Sequence, residues 1–341
     1  MGVAEPLLGD PGPLAAREAA RCSYATPVSA TTRAVCIVRP GGVDVLQVVE
    51  RPVREPGAGE VRLAVRAAAV NPTDIGLRER GAEGVEPPWV PGMDAAGTVE
   101  SVGDGVGRLA VGDAVMAAVS PRRPEGGAQA GLVVVPAASV VAIPEGATIE
   151  QASTLPMNGL TALLGLELLD LREGQTLAVS GGAGLLASYA IPLAKTRGLR
   201  VLADAKPEDE ALVRGFGADV VLPRGGGFSA ALREQAPAGV DGVLDTALLG
   251  RSAFPAIRDG GAMAVVRGWN DGETERGIEI RPVWVRTVLE RTDWLGQLRE
   301  LASRGTLQLR VAATYPPERT PEAHRLMAAG GLRGRVVIAF S

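Results

Sequence analysis

The chain has 341 residues, enough for two domains with cores of their own, and its 46% hydrophobic and 22% charged residues mark a globular protein rather than a disordered or fibrous one. A net charge of −4 and an aromatic content of 3% argue against nucleic acid as a partner, since neither clustered positive charge nor base-stacking surface is on offer. Two cysteines, Cys22 and Cys36, and one histidine cannot build a disulfide framework or a multi-ligand zinc site, and without a run of 18 apolar residues no membrane span is expected.

Residues 1–32 read as a flexible N-terminal extension. Their mix of glycine, proline and acids fits neither a secretory signal nor an arginine-rich transit peptide, so a cytoplasmic location is expected. From 33 the chain breaks into short β-type runs, "RAVCIV", "DVLQVVERPV", "EVRLAVRAAAV", "GTVESVGDGV" and "DAVMAAV", divided by Gly and Pro: a mostly antiparallel, barrel-like β domain. From 153 the rhythm lengthens. "QTLAVSGG" predicts a strand, 185–197 a helix, "RVLADA" a strand and 207–216 a helix, followed by the strands "ADVVLP", "DGVLDTAL" and "GAMAVVRG". Strands alternating with such helices mean βαβ units and a doubly wound parallel sheet. The end of the chain reverts to "LQLRVAATYP", a helix around "TPEAHRLMAAG" and "GRVVIAF". The expected division is therefore an α/β chain with a β domain at 33–152 and 292–341 and a nucleotide-type domain at 153–291 inserted into it.

The stretch "LAVSGGAGLLASYAIPLAKTRG" holds the chemistry. Gly182, Gly184 and Ala187 spell GxGxxA, in which glycines allow a tight bend and close approach to a pyrophosphate, and the next helix aims its positive end at the phosphates. The backbone of Gly182 to Ala187, Leu185 and Leu186 included, is the expected phosphate cradle. Asp204, 22 residues beyond Gly182, is the acid expected near the adenosine ribose, or else a solvated strand-end carboxylate. Pro192 lies inside the predicted helix and predicts a kink there. Two readings follow: a harmless bend two turns from the phosphates, or a decayed site.

The segments "REPGAGEVRLAVRAAAVNPTDIGLRERG", "PWVPGMDAAGTVESVGDGVGRLAVGDAVM", "GGAQAGLVVVPAASVVAIPEGATIEQASTLPMNGLTA" and "EAHRLMAAGGLRGRVVI" resemble, in order and spacing, the medium-chain dehydrogenase/reductase superfamily and its zinc-free quinone oxidoreductase and enoyl reductase branch. The resemblance spans 33–341. It implies a GroES-like β-barrel catalytic domain, a Rossmann domain, a cleft between them, NADPH or NADH as cofactor, a small-molecule substrate and a homodimer. Asn71 and Met93 stand where zinc-dependent members carry a cysteine and a histidine, so no metal is expected and an electron-poor quinone or α,β-unsaturated carbonyl becomes the expected acceptor. Asn71 matches an asparagine that orients cofactor or carbonyl, or is a turn residue before Pro72. Thr161 matches a cofactor-contacting threonine, or packs its methyl on a helix surface; Asp245 matches a strand-end acid near the cofactor, or forms a turn; and His324 reads as structural.

Other places break the family pattern. Where NADPH-binding relatives carry lysine and tyrosine this chain has Glu210 and Arg224, and acids at 204, 208, 209 and 210 are expected to repel a 2′-phosphate, with Lys206 as the nearby cation. Gly76 and Gln129 replace tyrosines, leaving no evident general acid and room for a bulky substrate against Asn71 and Gln129. Arg122, in the loop "SPRRPEGG", is a candidate contact for an anionic group or simply a solvated residue. The alternative function is a protein of this fold whose degenerate cofactor site serves a non-redox step such as cyclisation or isomerisation.

Overall fold

The computed structural model describes residues 28–341, so most of the expected extension, and Cys22, lie outside the described residues. Its last part, 28–32, is strand. In chain order the first portion comprises β1 (Val28–Ile37), β2 (Leu46–Arg54), β3 (Glu60–Val70), α1 (Pro72–Arg80), β4 (Asp94–Val102), β5 (Ala114–Ala118), β6 (Leu132–Pro136), β7 (Val140–Ala142) and α2 (Ile149–Ala152). The middle comprises α3 (Pro156–Leu169), β8 (Thr176–Ser180), α4 (Leu185–Thr196), β9 (Arg200–Ala205), α5 (Glu210–Gly215), β10 (Val220–Pro223), α6 (Phe228–Gln235), β11 (Val240–Asp245), β12 (Ile257–Val266) and β13 (Glu279–Val283). The last portion is α7 (Thr292–Ser303), β14 (Val311–Tyr315), α8 (Thr320–Ala329) and β15 (Arg335–Ala339).

The first and last portions share a seven-stranded sheet, in which β3 is the hub: it pairs antiparallel with β4 along one edge and with β6 and then β15 along the other. That double pairing explains why "EVRLAVRAAAV" is apolar on both faces rather than alternating. β1 and β2 form a separate antiparallel pair beside it, with the free Cys36 fully buried in β1. The middle portion folds into a six-stranded sheet, every pair parallel, in the order β10-β9-β8-β11-β12-β13. Numbered along this sheet the order is 3-2-1-4-5-6, the doubly wound Rossmann arrangement, whose ligands bind outside the carboxyl ends of the strands where the order reverses between β8 and β11. The sixth strand was not foreseen; "EIRPV" is polar and carries Pro282, as an edge strand tolerates.

α3, "PMNGLTALLGLELL", is apolar all round and almost wholly buried, as such a helix must be. It is the wedge between the two sheets: Gly159 admits Leu298 of α7 and Gly165 admits Leu244 of β11. α4 continues unbroken through Pro192, with Leu185 and Ala187–Ala194 buried. The proline removes one amide donor two turns beyond the helix start and leaves the start intact. Among the described residues no helix is long and apolar enough to cross a membrane.

The β3–β4 ladder gives a test. A Cβ on Gly97 would stand 2.0 Å from the carbonyl oxygen of Ala64, backbone that cannot move aside. Gly97→Ala is expected to cost about 2 kcal/mol or more, read as a lowered urea midpoint; an unchanged midpoint would refute the packing described.

Candidate cofactor and substrate site

β8 ends at Ser180, and Gly181 turns the chain with φ +70°. A Cβ on Gly182 would lie 2.6 Å from the carbonyl oxygen of Asp204, so this glycine is demanded by the close approach of the loop to β9. Gly184 caps α4 without any side-chain hydrogen bond, leaving the first-turn amides of Leu185, Leu186 and Ala187 without intrahelical acceptors at the positive end of the helix. The Leu185 side chain is buried in the core and Leu186 packs against the same core, so neither plugs the cradle. Arg310 braces the loop from the other sheet: its Nη2 lies 3.4 Å from the carbonyl oxygens of Ala183 and Gly184, and its guanidinium sits 4.8 Å from the centroid of the Phe216 ring.

Two expected cofactor acids turn inward. Asp204 Oδ1 accepts the Gly181 N–H and, at 3.2 Å, the Gly182 N–H, so the carboxylate clamps the loop instead of facing a ribose. Asp245 is 2% exposed, accepting from Ser180 Oγ at 2.7 Å and from the amides of Leu249 and Gly250 at 3.0 Å each. It shapes the turn after β11. In that turn Leu248 is held at φ +60° and half exposed, a residue no sequence signal marked.

Of the acids expected to repel a phosphate, Asp209 and Glu210 are paired with arginines. Glu210 pairs with Arg214 at 2.7 Å, one helical turn on. Asp209 receives both Nε and Nη2 of Arg333, which with Lys206 and Arg224 keep its carboxyl below the ordinary value. Lys206 and Arg224 stay exposed, 3.8 Å from Glu208 and 4.0 Å from Asp204 respectively.

In the portion that carries the seven-stranded sheet, Asn71 is fully buried and caps α1. Its Nδ2 donates to Asp94 Oδ2 at 2.6 Å, its Oδ1 accepts from Asn158 Nδ2 at 3.1 Å, and its N–H donates to Asp74 Oδ2 at 2.7 Å. Arg335 Nη2 donates to Asn158 Oδ1 at 2.6 Å, and the Met157 N–H donates to Asp94 Oδ1 at 2.6 Å. Burial pushes the Asp74 carboxyl up to about 6 and that of Asp94 up to about 7, against the hydrogen bonds they accept and the charge of Arg335. Asn71 therefore shapes the wall of the site and is not itself presented to a ligand. Thr161 is likewise occupied, donating back to the Met157 carbonyl at 2.6 Å. Gln129 is fully buried with both amide atoms unpartnered. Arg122 stays on the surface, 3.4 Å from the Glu83 carbonyl oxygen, while its neighbour Arg123 is held by Glu60 at 2.9 Å. His324 is fully buried 3.4 Å from Arg78, and burial and that charge push it down to about 3, so it stays neutral.

Residues 57–145 match the alcohol dehydrogenase GroES-like domain and residues 216–338 the zinc-binding dehydrogenase domain. The chain belongs to the medium-chain dehydrogenase/reductase superfamily. An NADPH-dependent alkenal/one oxidoreductase of Arabidopsis thaliana is 33% identical over 67% of this chain, and a trans-enoyl reductase of Aspergillus flavipes 31% identical over 56%. The matched region spans 60% and 59% of those two proteins. A mycobacterial protein solved with NADPH superposes with a TM-score of 0.79 at 27% identity, covering 90% of this chain and all of that one.

The superfamily implies two groups to test against these residues. A nicotinamide dinucleotide fits: the uncapped start of α4, the glycine cradle and the exposed Lys206 and Arg224 suit its phosphates. Zinc does not fit at the positions expected for its ligands, where Asn71 has both ends of its amide engaged and Met93 offers a thioether that accepts the Thr73 hydroxyl at 3.6 Å. Sequence reasoning missed Asn158, Arg335, Arg310 and Arg333; for Arg335 the signal was a charge inside the apolar strand "RVVIA".

The buried carboxyls give a pH test. Both sit above their ordinary value, so their stabilising contribution is complete below about pH 4 and is lost as the pH rises through about 6 to 7. Arg335→Met removes the cation facing them. It is expected to cost about 3–5 kcal/mol at pH 8 and distinctly less at pH 5, by urea denaturation; an equal cost at both would contradict the assignment.

Proposed function

We propose that this protein is an NAD(P)H-dependent reductase that acts, without zinc, on a quinone or an α,β-unsaturated carbonyl compound, with NADPH preferred. The observation that carries the reading is the glycine turn leading into an α4 start with no side-chain cap, in a chain whose two expected metal positions hold the engaged amide of Asn71 and the thioether of Met93. The names of the relatives, an alkenal/one oxidoreductase and an enoyl reductase, support the same class.

The amides of Leu185, Leu186 and Ala187 would hold the pyrophosphate, and Lys206 and Arg224 the 2′-phosphate. The bound nicotinamide supplies a hydride. The chain's own residues supply position and exclusion of water: Asp204 and Arg310 stiffen the cradle, while Asn71, Asn158, Asp94 and Arg335 fix α1 against α3 so that the cleft keeps its shape. Lacking a Lewis acid, the site favours acceptors that delocalise negative charge themselves, which disfavours simple ketones and alcohols. The reading of a decayed loop serving a cyclisation or isomerisation loses the support of Pro192, which leaves the helix start intact, and Leu185 packs inward. Homodimeric assembly and a cytoplasmic location belong to the same proposal.

Titration of the purified protein with NADPH and NADH, followed by addition of conjugated enones and quinones, tests it. Oxidation of NADPH that survives dialysis against a chelator is expected; no binding of either dinucleotide at millimolar concentration ends the reading. Arg224→Ala is expected to weaken NADPH binding about tenfold with NADH little changed.

A further inference from the structure

Arg333 lies in the segment leading into β15, on the seven-stranded sheet, yet its guanidinium reaches across to the Rossmann domain. Nε and Nη2 donate to the two oxygens of Asp209, and Nη1 donates to the Gly331 carbonyl at 2.6 Å. Asp209 closes the turn Pro207–Asp209 just beyond β9, where its N–H donates to the Lys206 carbonyl at 2.9 Å. That turn is the carboxyl end of the second strand, next to the exposed Lys206 and Arg224. Without Arg333, three carboxylates (Asp204, Glu208, Asp209) would face two cations. With it the charges balance, and Asp204 is further engaged by the loop amides. All these charges lie within a distance over which salt screens only partly.

We infer that Arg333 is a specificity-determining residue: by masking Asp209 from the neighbouring sheet, it makes the end of β9 acceptable to a 2′-phosphate. Acceptance of the phosphorylated cofactor is thus set partly from outside the nucleotide domain and depends on the two domains being seated together. Arg333 acts here by cancelling a charge, while Lys206 and Arg224 meet the phosphate. The inference rests on the proposed cofactor site.

Isothermal titration with adenosine 2′,5′-bisphosphate and with 5′-AMP isolates the 2′-phosphate and needs no turnover. The wild type is expected to bind the bisphosphate more tightly. Arg333→Ala should weaken bisphosphate binding about tenfold, a change of about 1.4 kcal/mol, while leaving 5′-AMP within about twofold; adding Asp209→Asn should restore most of the loss. Asp209→Asn alone, which leaves the arginine's charge unmatched, should tighten the bisphosphate, and this arm stands even where Arg333→Ala folds poorly. Equal weakening of both compounds, or no rescue by Asp209→Asn, overturns the masking role. A wild type that discriminates normally alongside an Arg333→Ala variant that discriminates equally well overturns this inference alone, whereas a wild type that binds neither compound overturns the cofactor reading and this inference with it.

Discussion

One chain of buried hydrogen bonds holds the two halves of this molecule in register. It runs from Arg335 on β15 to Asn158 on α3, on to Asn71 at the start of α1, to Asp94 on β4, and returns to α3 at the Met157 amide. Each member is buried, so each depends on its neighbours to avoid an unsatisfied polar group costing about 1–3 kcal/mol. A hydrophobic contact between α3 and the seven-stranded sheet would permit sliding; these bonds do not.

The same network decides what chemistry is open. Asn71 and Met93 occupy the places where zinc-dependent members of the superfamily place ligands, and here one is an amide with both ends engaged and the other a thioether against a hydroxyl. The charge of Arg335 opposes the upward push that burial gives the Asp74 and Asp94 carboxyls.

Much of this was legible in the chain. The change from short β runs to βαβ rhythm located the Rossmann strands, because buried parallel strands and their crossovers have a period and length of their own. The glycines at 182 and 184 were readable because a tight loop admits little else. What failed was the direction of side chains. Asp204 and Asp245 sit at strand ends as a cofactor site requires, yet Asp204 accepts from the loop after β8 and Asp245 from its own turn, and spacing alone does not separate the two fates. Asp209 looked repulsive because its partner, Arg333, lies far away in sequence. β13 escaped notice since an edge strand has little need of apolar alternation.

Two turns at the rim of the parallel sheet carry side chains where the backbone favours glycine: Leu248 at φ +60° after β11 and Arg267 at φ +69° after β12. Each such residue stores about 1–3 kcal/mol of local strain, which the rest of the fold must outweigh. Asp170 and Arg276 share the condition, and at the adjoining loops of Leu248 and Arg267 a glycine would relax the backbone while erasing a side chain from the rim of the sheet. Selection for thermal robustness and selection for the shape of that rim pull these two codons in opposite directions.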